Sequence, residues 1–255
     1  SEDQTHVRGH RVLMEHGWVV SADDEVEAVL SCAALEVRPP GERVPKPMQG
    51  TLLGEIFERL VRWNEGKRHA ELRRLVEEKL AQWPQKDIQR IARDAACRVP
   101  ENEIAAYTIA SLVGIRDPER SLSSIRDFAQ AVAAGADAGA IERGAAAAQS
   151  LAGALPPVGD ADERANLLGF LFQSYAATAR LIENGLAGRT GAPVLMTRRY
   201  AAEDVDICGK SVRKGDAVFV LLTSPRFHFG AGPHACPGRD IAETIANAAI
   251  EVLAR

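Results

Sequence analysis

A glycine-rich stretch of the sequence places a cysteine directly before a helical pattern. Residues 227–238 are Phe-His-Phe-Gly-Ala-Gly-Pro-His-Ala-Cys-Pro-Gly, and a helical pattern follows them to residue 254. Pro237 stands where the first turn of a helix tolerates a missing N–H. N–H groups of the loop and of the helix N-terminus stabilise a thiolate, and glycines let the backbone approach a flat, bulky group. The pattern therefore predicts a chemically special thiolate at Cys236.

Four residues of this stretch stand at fixed spacing. Phe229, Gly232, Cys236 and Gly238 match the pattern F-x-x-G-x-x-x-C-x-G, and the stretch resembles the heme-ligand loop of the cytochrome P450 family. The resemblance implies a non-covalently held heme b whose iron is bound by the Cys236 thiolate. The alternative interpretation is a buried free cysteine in a glycine-rich turn. The other loop residues that the resemblance assigns to heme binding are Phe229, Gly230, His234 and Gly238.

Two further segments resemble parts of the family and supply basic side chains. His69-Ala-Glu-Leu-Arg73 looks like the H-x-x-x-R of an early P450 helix, and residues four apart share one helix face. Arg199 begins a segment that resembles the family's short sheet. The resemblance implies that His69, Arg73, Arg199 and His234 neutralise the heme propionates, for which arginine offers bidentate contacts. Two alternatives stay open: a solvated face for His69 and Arg73, and Arg198 as the partner in place of Arg199.

The longest helical pattern, over 161–187, departs from the family at the positions that relay protons. Oxygen-activating P450s carry an acid and then a threonine there, whereas this sequence has Ala176 and Ala177. Alanine has no proton to relay. Ser174, Thr178 or ordered water could substitute, so Ser174 and Thr178 are the candidate catalytic residues. For Thr178 the alternative is an ordinary helix threonine that donates to its own backbone.

The resemblance also indicates two internal shortenings. The chain passes from Leu186 to Pro193 almost at once, where family members have a helix with an E-x-x-R motif, and Leu186 occupies the glutamate position. After the predicted sheet, only Pro225 separates Ser224 from Arg226, where the cysteine loop begins. Family members have a long irregular segment at this point. The sequence is therefore interpreted as a strongly shortened, atypical member. Both losses uncover apolar surface, which predicts a homo-oligomer.

Periodicity and helix-breaking residues place the elements that must hold these side chains. Residues 11–20 are predicted to form a β-hairpin, and residues 193–222 a small β-sheet. The alanine- and glycine-rich stretch 130–154 fits either a helix with a broken middle or a loose linker. The predicted fold is mainly α with a small β-sheet, in a compressed P450-like form. Residues 1–255 are predicted to form a single heme-binding domain. Helices are predicted over 24–31, from Leu52 onward, and over 67–82, 86–98, 101–114, 122–134, 161–187 and 238–254.

The composition of the sequence excludes several classes of protein. Of the 255 residues, 46% are hydrophobic and 26% are charged, which excludes a collagen-like, mucin-like or wholly disordered chain. The formal net charge of −4 gives no support for nucleic acid as a partner. No stretch approaches the ~20 apolar residues of a membrane span, and the polar first residues lack an apolar signal core. A soluble cytoplasmic protein is expected, and the four separated cysteines do not indicate a disulfide framework.

Basic side chains cluster on the predicted helices between residues 67 and 98. In the family, this side faces an acidic electron donor of the ferredoxin type. Here the cations are interleaved with Asp and Glu, which favours a solvated amphipathic face over a docking surface. The cluster consists of Lys67, Arg68, Arg73, Arg74, Lys79, Lys86, Arg90, Arg93 and Arg98.

Three hypotheses about function follow. The first is a heme-thiolate monooxygenase of a small organic molecule, served by a ferredoxin-type electron donor. The second is an enzyme without dioxygen activation: a peroxide-driven oxidation, or a heme-dependent dehydration or rearrangement, either of which fits alanine at positions 176 and 177. The third is a heme-binding sensor or partner module without turnover. The intact cysteine loop favours the first hypothesis.

Overall fold

The computed structural model describes residues 17–255. The predicted β-hairpin is therefore only partly described: residues 17–20 form strand β1, and residues 11–16 lie outside the described residues. The helices are α1 Asp23–Ser31, α2 Leu52–Arg59, α3 Gly66–Leu80, α4 Gln85–Ala96, α5 Ile104–Leu112, α6 Leu122–Ala131, α7 Ala138–Ala154, α8 Ala161–Leu186 and α9 Arg239–Leu253. The strands are β1 Gly17–Val20, β2 Leu35–Glu36, β3 Met196–Ala201, β4 Val205–Ile207, β5 Lys210–Val212 and β6 Ala217–Leu221.

The described residues form two compact units. Residues 17–43 and 194–236 make up the sheet unit, and residues 44–193 and 237–255 make up the helical unit. The expectation of a single heme-binding domain over 1–255 stays a prediction. Within residues 17–255, no helix combines the length and the apolar character that crossing a membrane requires.

The sheet unit is built on four strands in the order β1-β6-β3-β2. β1 runs parallel to β6, and β3 is antiparallel to both β6 and β2. Alternate residues of a strand face the same side, so Val218 and Val220 of β6 are both buried, in one core with Val26 and Val29 of α1. The register places Arg199 of β3 opposite Val218.

A buried ion pair holds the β4–β5 hairpin against α1. The Lys210 ammonium bonds the Glu25 carboxylate, and the two side chains are only 19% and 12% exposed. The second carboxylate oxygen of Glu25, Oε2, is buried and has no hydrogen-bond partner among residues 17–255. Truncating the lysine would therefore leave a buried carboxylate without its counter-charge, which is the costly way to break such a pair.

The turn of this hairpin contains a cysteine in an unfavourable backbone conformation. Cys208 has a φ of 49° and Gly209 a φ of 72°, as a two-residue hairpin turn with positive φ at both central positions requires. A residue with a Cβ other than Asn or Asp pays roughly 1–2 kcal/mol in the left-handed region. The Cys208 backbone is therefore strained, while its side chain is exposed.

We expect Cys208→Asn to raise the free energy of unfolding by about 0.5–1 kcal/mol, because asparagine tolerates positive φ. Cys208→Val is the matched opposite change, and a β-branched side chain at this position should destabilise the protein. Urea denaturation of the three proteins checks the order. A valine variant as stable as the asparagine variant would contradict the account of the turn.

Helix α8 is the centre of the helical unit. Asp160 caps it by accepting a hydrogen bond from the Glu163 N–H at 2.9 Å, and residues 165–172 are all buried. The helix packs against α2, α5, α6 and α9. Near its end, a Cβ on Gly185 would lie 2.3 Å from Ile250 Cδ1 of α9. The glycine therefore permits the close crossing of α8 and α9.

In the alanine- and glycine-rich stretch 130–154, residues 132–137 connect the end of α6 to a continuous helix over Ala138–Ala154. The interpretation of the stretch as a loose linker is therefore wrong. The Asp137 side chain accepts a hydrogen bond from the Ala140 N–H and starts α7. A Cβ on Gly144 would lie 2.1 Å from Ala131 Cβ of α6. Small residues at this crossing let α6 and α7 approach closely.

A polar cluster joins α2, α3 and α8. Asp162 Oδ1 accepts hydrogen bonds from Arg59 at 3.0 Å and from Arg68 at 2.7 Å. One helical turn further along α8, Asn166 accepts from the Val61 N–H at 3.0 Å and donates to Arg59 O at 2.9 Å. Asn166 is 1% exposed. The cluster thus satisfies backbone groups where α2 ends.

The Asp162 carboxylate should make stability depend on pH. The hydrogen bond from Arg68, with that from Arg59, holds the pKa of Asp162 below its ordinary value. Its contribution is complete above the unfolded-state pKa of about 4 and is lost as the pH falls through the lower folded-state pKa. We expect Asp162→Asn to lower the urea midpoint at neutral pH and to have less effect below about pH 4. Urea curves at several pH values check this, and a pH-independent difference would contradict it.

Candidate functional site

The cysteine loop is folded onto itself by backbone hydrogen bonds. The Cys236 N–H donates to Phe229 O at 2.8 Å, and the Gly230 N–H donates to Phe227 O at 2.8 Å. Phe227 is 2% exposed and belongs to the core of the sheet unit. The side chain of Cys236 is exposed, whereas Phe229 and His234 are half-buried. The loop is therefore anchored at its beginning by Phe227, and Cys236 at its end does not have the buried position that the alternative of a buried free cysteine expects.

Two glycines of the loop adopt conformations that favour glycine. Gly230 has a φ of 71° and Gly232 a φ of 65°. A Cβ on Gly232 would lie 2.6 Å from Leu30 O, at the end of α1, whereas one on Gly230 would meet nothing closer than 3.7 Å. Gly232 is thus the point at which the loop rests on the α1 backbone.

The two neighbouring arginines of β3 face opposite sides of the strand. Arg199 is 5% exposed, and its NH1 group donates to Arg198 O at 3.0 Å and lies 3.3 Å from Thr197 Oγ1. Arg198 stacks on the Phe219 ring at 4.8 Å and donates to the Tyr200 hydroxyl at 3.1 Å. The two guanidinium groups therefore have different surroundings.

His69 and Arg73 lie one turn apart on α3, in the helical unit. His69 is 6% exposed. The Arg73 side chain is 21% exposed, and its Nε pairs with Glu77 Oε1 at 2.6 Å. The alternative of a solvated face is therefore wrong for His69, which is buried. Arg73 is partly exposed and paired with a carboxylate.

The middle of α8 is where its long buried run ends. Residues 173–177 are half-buried or exposed, with Ala176 exposed, and Thr178 is again 3% exposed. The Ser174 hydroxyl donates to Leu171 O at 3.0 Å. Burial raises the pKa of the neighbouring Tyr175 hydroxyl. Ala176 is therefore the exposed residue of this segment, and the hydroxyl proton of Ser174 is used in a hydrogen bond to the backbone.

The predicted site residues divide between the units. The sheet unit holds Arg199 and the loop residues Phe229, Gly230, His234 and Cys236. The helical unit holds His69, Arg73, Ser174, Thr178 and Gly238. Gly238 is the residue from which α9 starts, since the Ala242 N–H donates to Gly238 O at 2.9 Å.

The basic cluster on α3 and α4 is extensively paired. Arg68 and Lys79 bond Asp162 and Glu163 of α8, at 2.7 and 2.6 Å. Arg93 bonds Glu251 of α9 at 2.8 Å. Carboxylates also lie within 4.0 Å of Lys67, Arg73, Arg90 and Arg98. This pairing agrees with the interleaved amphipathic face that the sequence favours.

Two curated relatives match segments of the chain. The biotin biosynthesis cytochrome P450 of Bacillus subtilis (strain 168) is 34% identical over 86 residues, a match that covers 26% of this chain and 22% of the relative. Epothilone C/D epoxidase of Sorangium cellulosum is 31% identical over 80 residues, covering 23% of this chain and 19% of the relative. The matches thus span about a fifth of the length of these relatives. No family model matches the chain.

Solved structures match nearly the whole chain. CalO2 aligns over 98% of this chain and 85% of its own, with a TM-score of 0.77 at 20% identity. P450BioI, in complex with a hexadec-9Z-enoic acid-ligated acyl carrier protein, aligns over 93% and 84%, with a TM-score of 0.75 at 20% identity. The chain has the cytochrome P450 fold. The predicted fold class and the predicted resemblance to the cytochrome P450 family are confirmed.

In this P450 fold, a polar brace closes the short connection after α8. The Arg189 N–H donates to Asn184 O at 2.8 Å, and Asn184 Nδ2 donates to Gly191 O at 2.8 Å. Arg189 NH2 also bonds Glu183 Oε1 at 3.1 Å. In the sequence, Arg189 followed by Pro193 resembles only the end of the family's E-x-x-R helix. The structure gives it a role in turning the chain, which Gly188 at a φ of 64° makes possible.

Proposed function

We propose that the chain is a heme-thiolate oxidoreductase that acts as a monooxygenase on a small organic molecule. The observation that carries the proposal is the exposed Cys236 thiol, held at the end of a glycine loop in a chain with the P450 fold. Substrate, electron donor and activity are all part of the proposal, because the curated matches span only segments of their relatives.

The residues of the loop fit a heme b. A soft, exposed sulfur is the donor that heme iron takes from such a loop, and a Cβ on Gly230 would meet nothing closer than 3.7 Å, so the loop has open space at this position. Phe229, Gly230, His234 and Gly238 would line the group, and Cys236 would be the metal ligand. Thiolate-bound heme supplies oxidising chemistry, because the thiolate donates electron density that favours O–O cleavage.

Charge neutralisation of the propionates is assigned to His69, Arg73, Arg199 and His234. Arg199 suits this better than Arg198, because Arg199 is buried at 5% exposure whereas Arg198 is only half-buried. A buried guanidinium gains most from a carboxylate partner, since desolvation strengthens a charge-assisted hydrogen bond.

Proton delivery is assigned to Ser174 and Thr178, because Ala176 and Ala177 carry no titratable atom. A hydroxyl that donates to a carbonyl still has lone pairs with which to accept a proton or a hydrogen bond. Ser174 can therefore accept a hydrogen bond from water while it donates to Leu171 O. It can pass its own hydroxyl proton to another acceptor only after the hydrogen bond to Leu171 O has broken. This makes delivery harder than it would be from a carboxylic acid.

The same geometry favours a second candidate within the enzyme class. A peroxide-driven oxidation, or a dehydration or rearrangement on heme, places less demand on a proton relay. The exposed alanine at position 176 supports this alternative. A non-catalytic heme-binding sensor or partner module is the third. A ferredoxin-type electron donor, self-association and a cytoplasmic location stay predictions.

Heme-reconstituted protein should be compared with Cys236→Ser and with Cys97→Ser, which removes another exposed cysteine. We expect Cys236→Ser alone to lose thiolate ligation and turnover on a substrate panel. Unchanged heme binding and activity in Cys236→Ser would overturn the proposal. Turnover that requires ferredoxin and dioxygen supports the monooxygenase, turnover with hydrogen peroxide alone supports the second candidate, and heme uptake without turnover supports the sensor.

A further inference from the structure

A surface cleft in the helical unit lies between the α5–α6 connection and the C-terminal end of α7. Its volume is ≈ 340 Å³. None of its lining side chains is apolar and larger than alanine, so it offers little surface to an apolar ligand. The cleft is lined by Arg116, Asp117, Arg120, Ser121, Ser150, Gly153 and Ala154.

The two walls of the cleft are fixed to each other. The Arg116 N–H donates to Ala154 O at 3.2 Å. Next to this bond, a Cβ on Gly114 would lie 3.3 Å from Pro156 Cγ, so the connection and the end of α7 are in close contact. The cleft is therefore present before any ligand arrives.

Its charge is positive. The Arg116 guanidinium is exposed and pairs with no carboxylate within residues 17–255. Arg120 lies 3.5 Å from Asp117 Oδ2, but it is 89% exposed, and such a pair contributes little. Asp117 is also occupied with its own turn, since Oδ1 accepts from the Arg120 N–H at 3.2 Å. The lining thus contains two guanidinium groups and one carboxylate, which is already engaged.

Two features of the cleft oppose an anion. The last carbonyls of α7 carry the negative end of the helix dipole, and the Asp117 carboxylate is itself negative. The Arg116 N–H satisfies the Ala154 carbonyl, and the Ser121 hydroxyl donates to Asp117 O at 2.8 Å. Donors for a ligand are therefore the two guanidinium groups and the Ser150 hydroxyl.

We propose that this cleft is a second binding site, for the phosphate groups of a small anionic ligand. Guanidinium forks match phosphate oxygens bidentately, and two of them suit a diphosphate better than a single carboxylate. The site uses no residue of the cysteine loop and stands independently of the proposed heme chemistry.

Calorimetric titration of the full chain with inorganic pyrophosphate tests the proposal. We expect binding to weaken at least about tenfold in Arg116→Gln and in Arg120→Gln, since each loses a charge-assisted contact. A Cβ on Gly153 would meet nothing within 4 Å, so Gly153→Glu should fold, place a carboxylate in the cleft and abolish binding. Gly153→Ala is its control, and Arg74→Gln tests the loss of an exposed cation elsewhere.

Absence of pyrophosphate binding, or equal binding by Gly153→Glu and Gly153→Ala, would overturn the proposal. An equal loss in Arg74→Gln would also do so, because it would indicate attraction by net charge alone. A parallel titration with ADP separates two sources of the diphosphate. Tighter binding of ADP would assign the site to an organic ligand, and equal binding would assign it to the free oxyanion.

Discussion

Gly232→Ala is expected to lower the free energy of unfolding by about 3 kcal/mol or more and to detach the cysteine loop from α1. Two costs combine at this position. The left-handed φ of 65° is unfavourable for alanine, and the added Cβ would lie 2.6 Å from Leu30 O. The neighbour is a backbone oxygen at the end of a helix, so it cannot turn aside as a side chain would. Urea denaturation, together with limited proteolysis within residues 227–236, measures both effects.

Gly230→Ala is the matched control two residues earlier. Its φ of 71° is equally left-handed, but the nearest atom to a new Cβ is 3.7 Å away. Only the conformational cost applies there, roughly 1–2 kcal/mol. Equal losses in the two variants would show that the contact with α1 does not hold the loop, and would contradict the anchoring described for Gly232.

Asn166→Ala should destabilise the helical unit by about 3 kcal/mol or more, because it leaves buried backbone groups without partners. The amide accepts from the Val61 N–H and donates to Arg59 O and Asp162 O, at 3.0, 2.9 and 2.9 Å. At 1% exposure, water cannot replace these bonds without opening the junction. The midpoint of urea unfolding, followed by helical circular dichroism, provides the measurement.

Asn64→Ala is the control that shows whether burial or the number of lost hydrogen bonds sets the loss of stability. Asn64 donates to Glu58 O at 2.9 Å and Leu60 O at 2.8 Å, but it lies nearer the surface, where water can take over. We expect a loss of about 1 kcal/mol. A loss as large as that of Asn166→Ala would mean that burial does not set the cost at this junction.

The elements that the sequence predicts best are those decided by local pattern. The helical pattern over 161–187 predicts α8, for which the sequence offers either Asp160 or Asp162 as the cap. The structure has Asp160 as the cap, and the helix ends one residue before the predicted boundary at 187. The fixed spacing of glycines around Cys236 predicts a loop before a helix, which the structure contains. Local pattern suffices because the chemistry of a cap or a glycine turn involves only neighbouring residues.

The structure of the alanine-rich stretch 130–154 could not be predicted, because it is not decided by local pattern. Alanine favours helix but gives no clear apolar face, so residues 130–154 do not show which side packs. The answer depends on the contact between Gly144 and Ala131 of another helix. The Asp137 cap is the one local feature that could have placed the start of α7.

Contacts between distant residues could not be predicted from the sequence. Lys210 and Glu25 are separated by 185 positions, and Asn166 reaches Val61 across 105. The choice between Arg198 and Arg199 likewise depends on strand register, which pairs Arg198 with Phe219 and Arg199 with Val218. The remaining site residues, including His69, Thr178 and His234, stay predictions as ligands or proton carriers.

The absorption spectrum of reduced, carbon-monoxide-bound protein after heme reconstitution tests the central claim most directly. The proposed Cys236 ligand predicts a red-shifted Soret band that is typical of thiolate ligation and absent in Cys236→Ser. Cys97→Ser should keep the band of the unaltered chain. A band typical of histidine or neutral-thiol ligation, or no heme uptake at all, would contradict the proposal that this loop holds heme through the Cys236 thiolate.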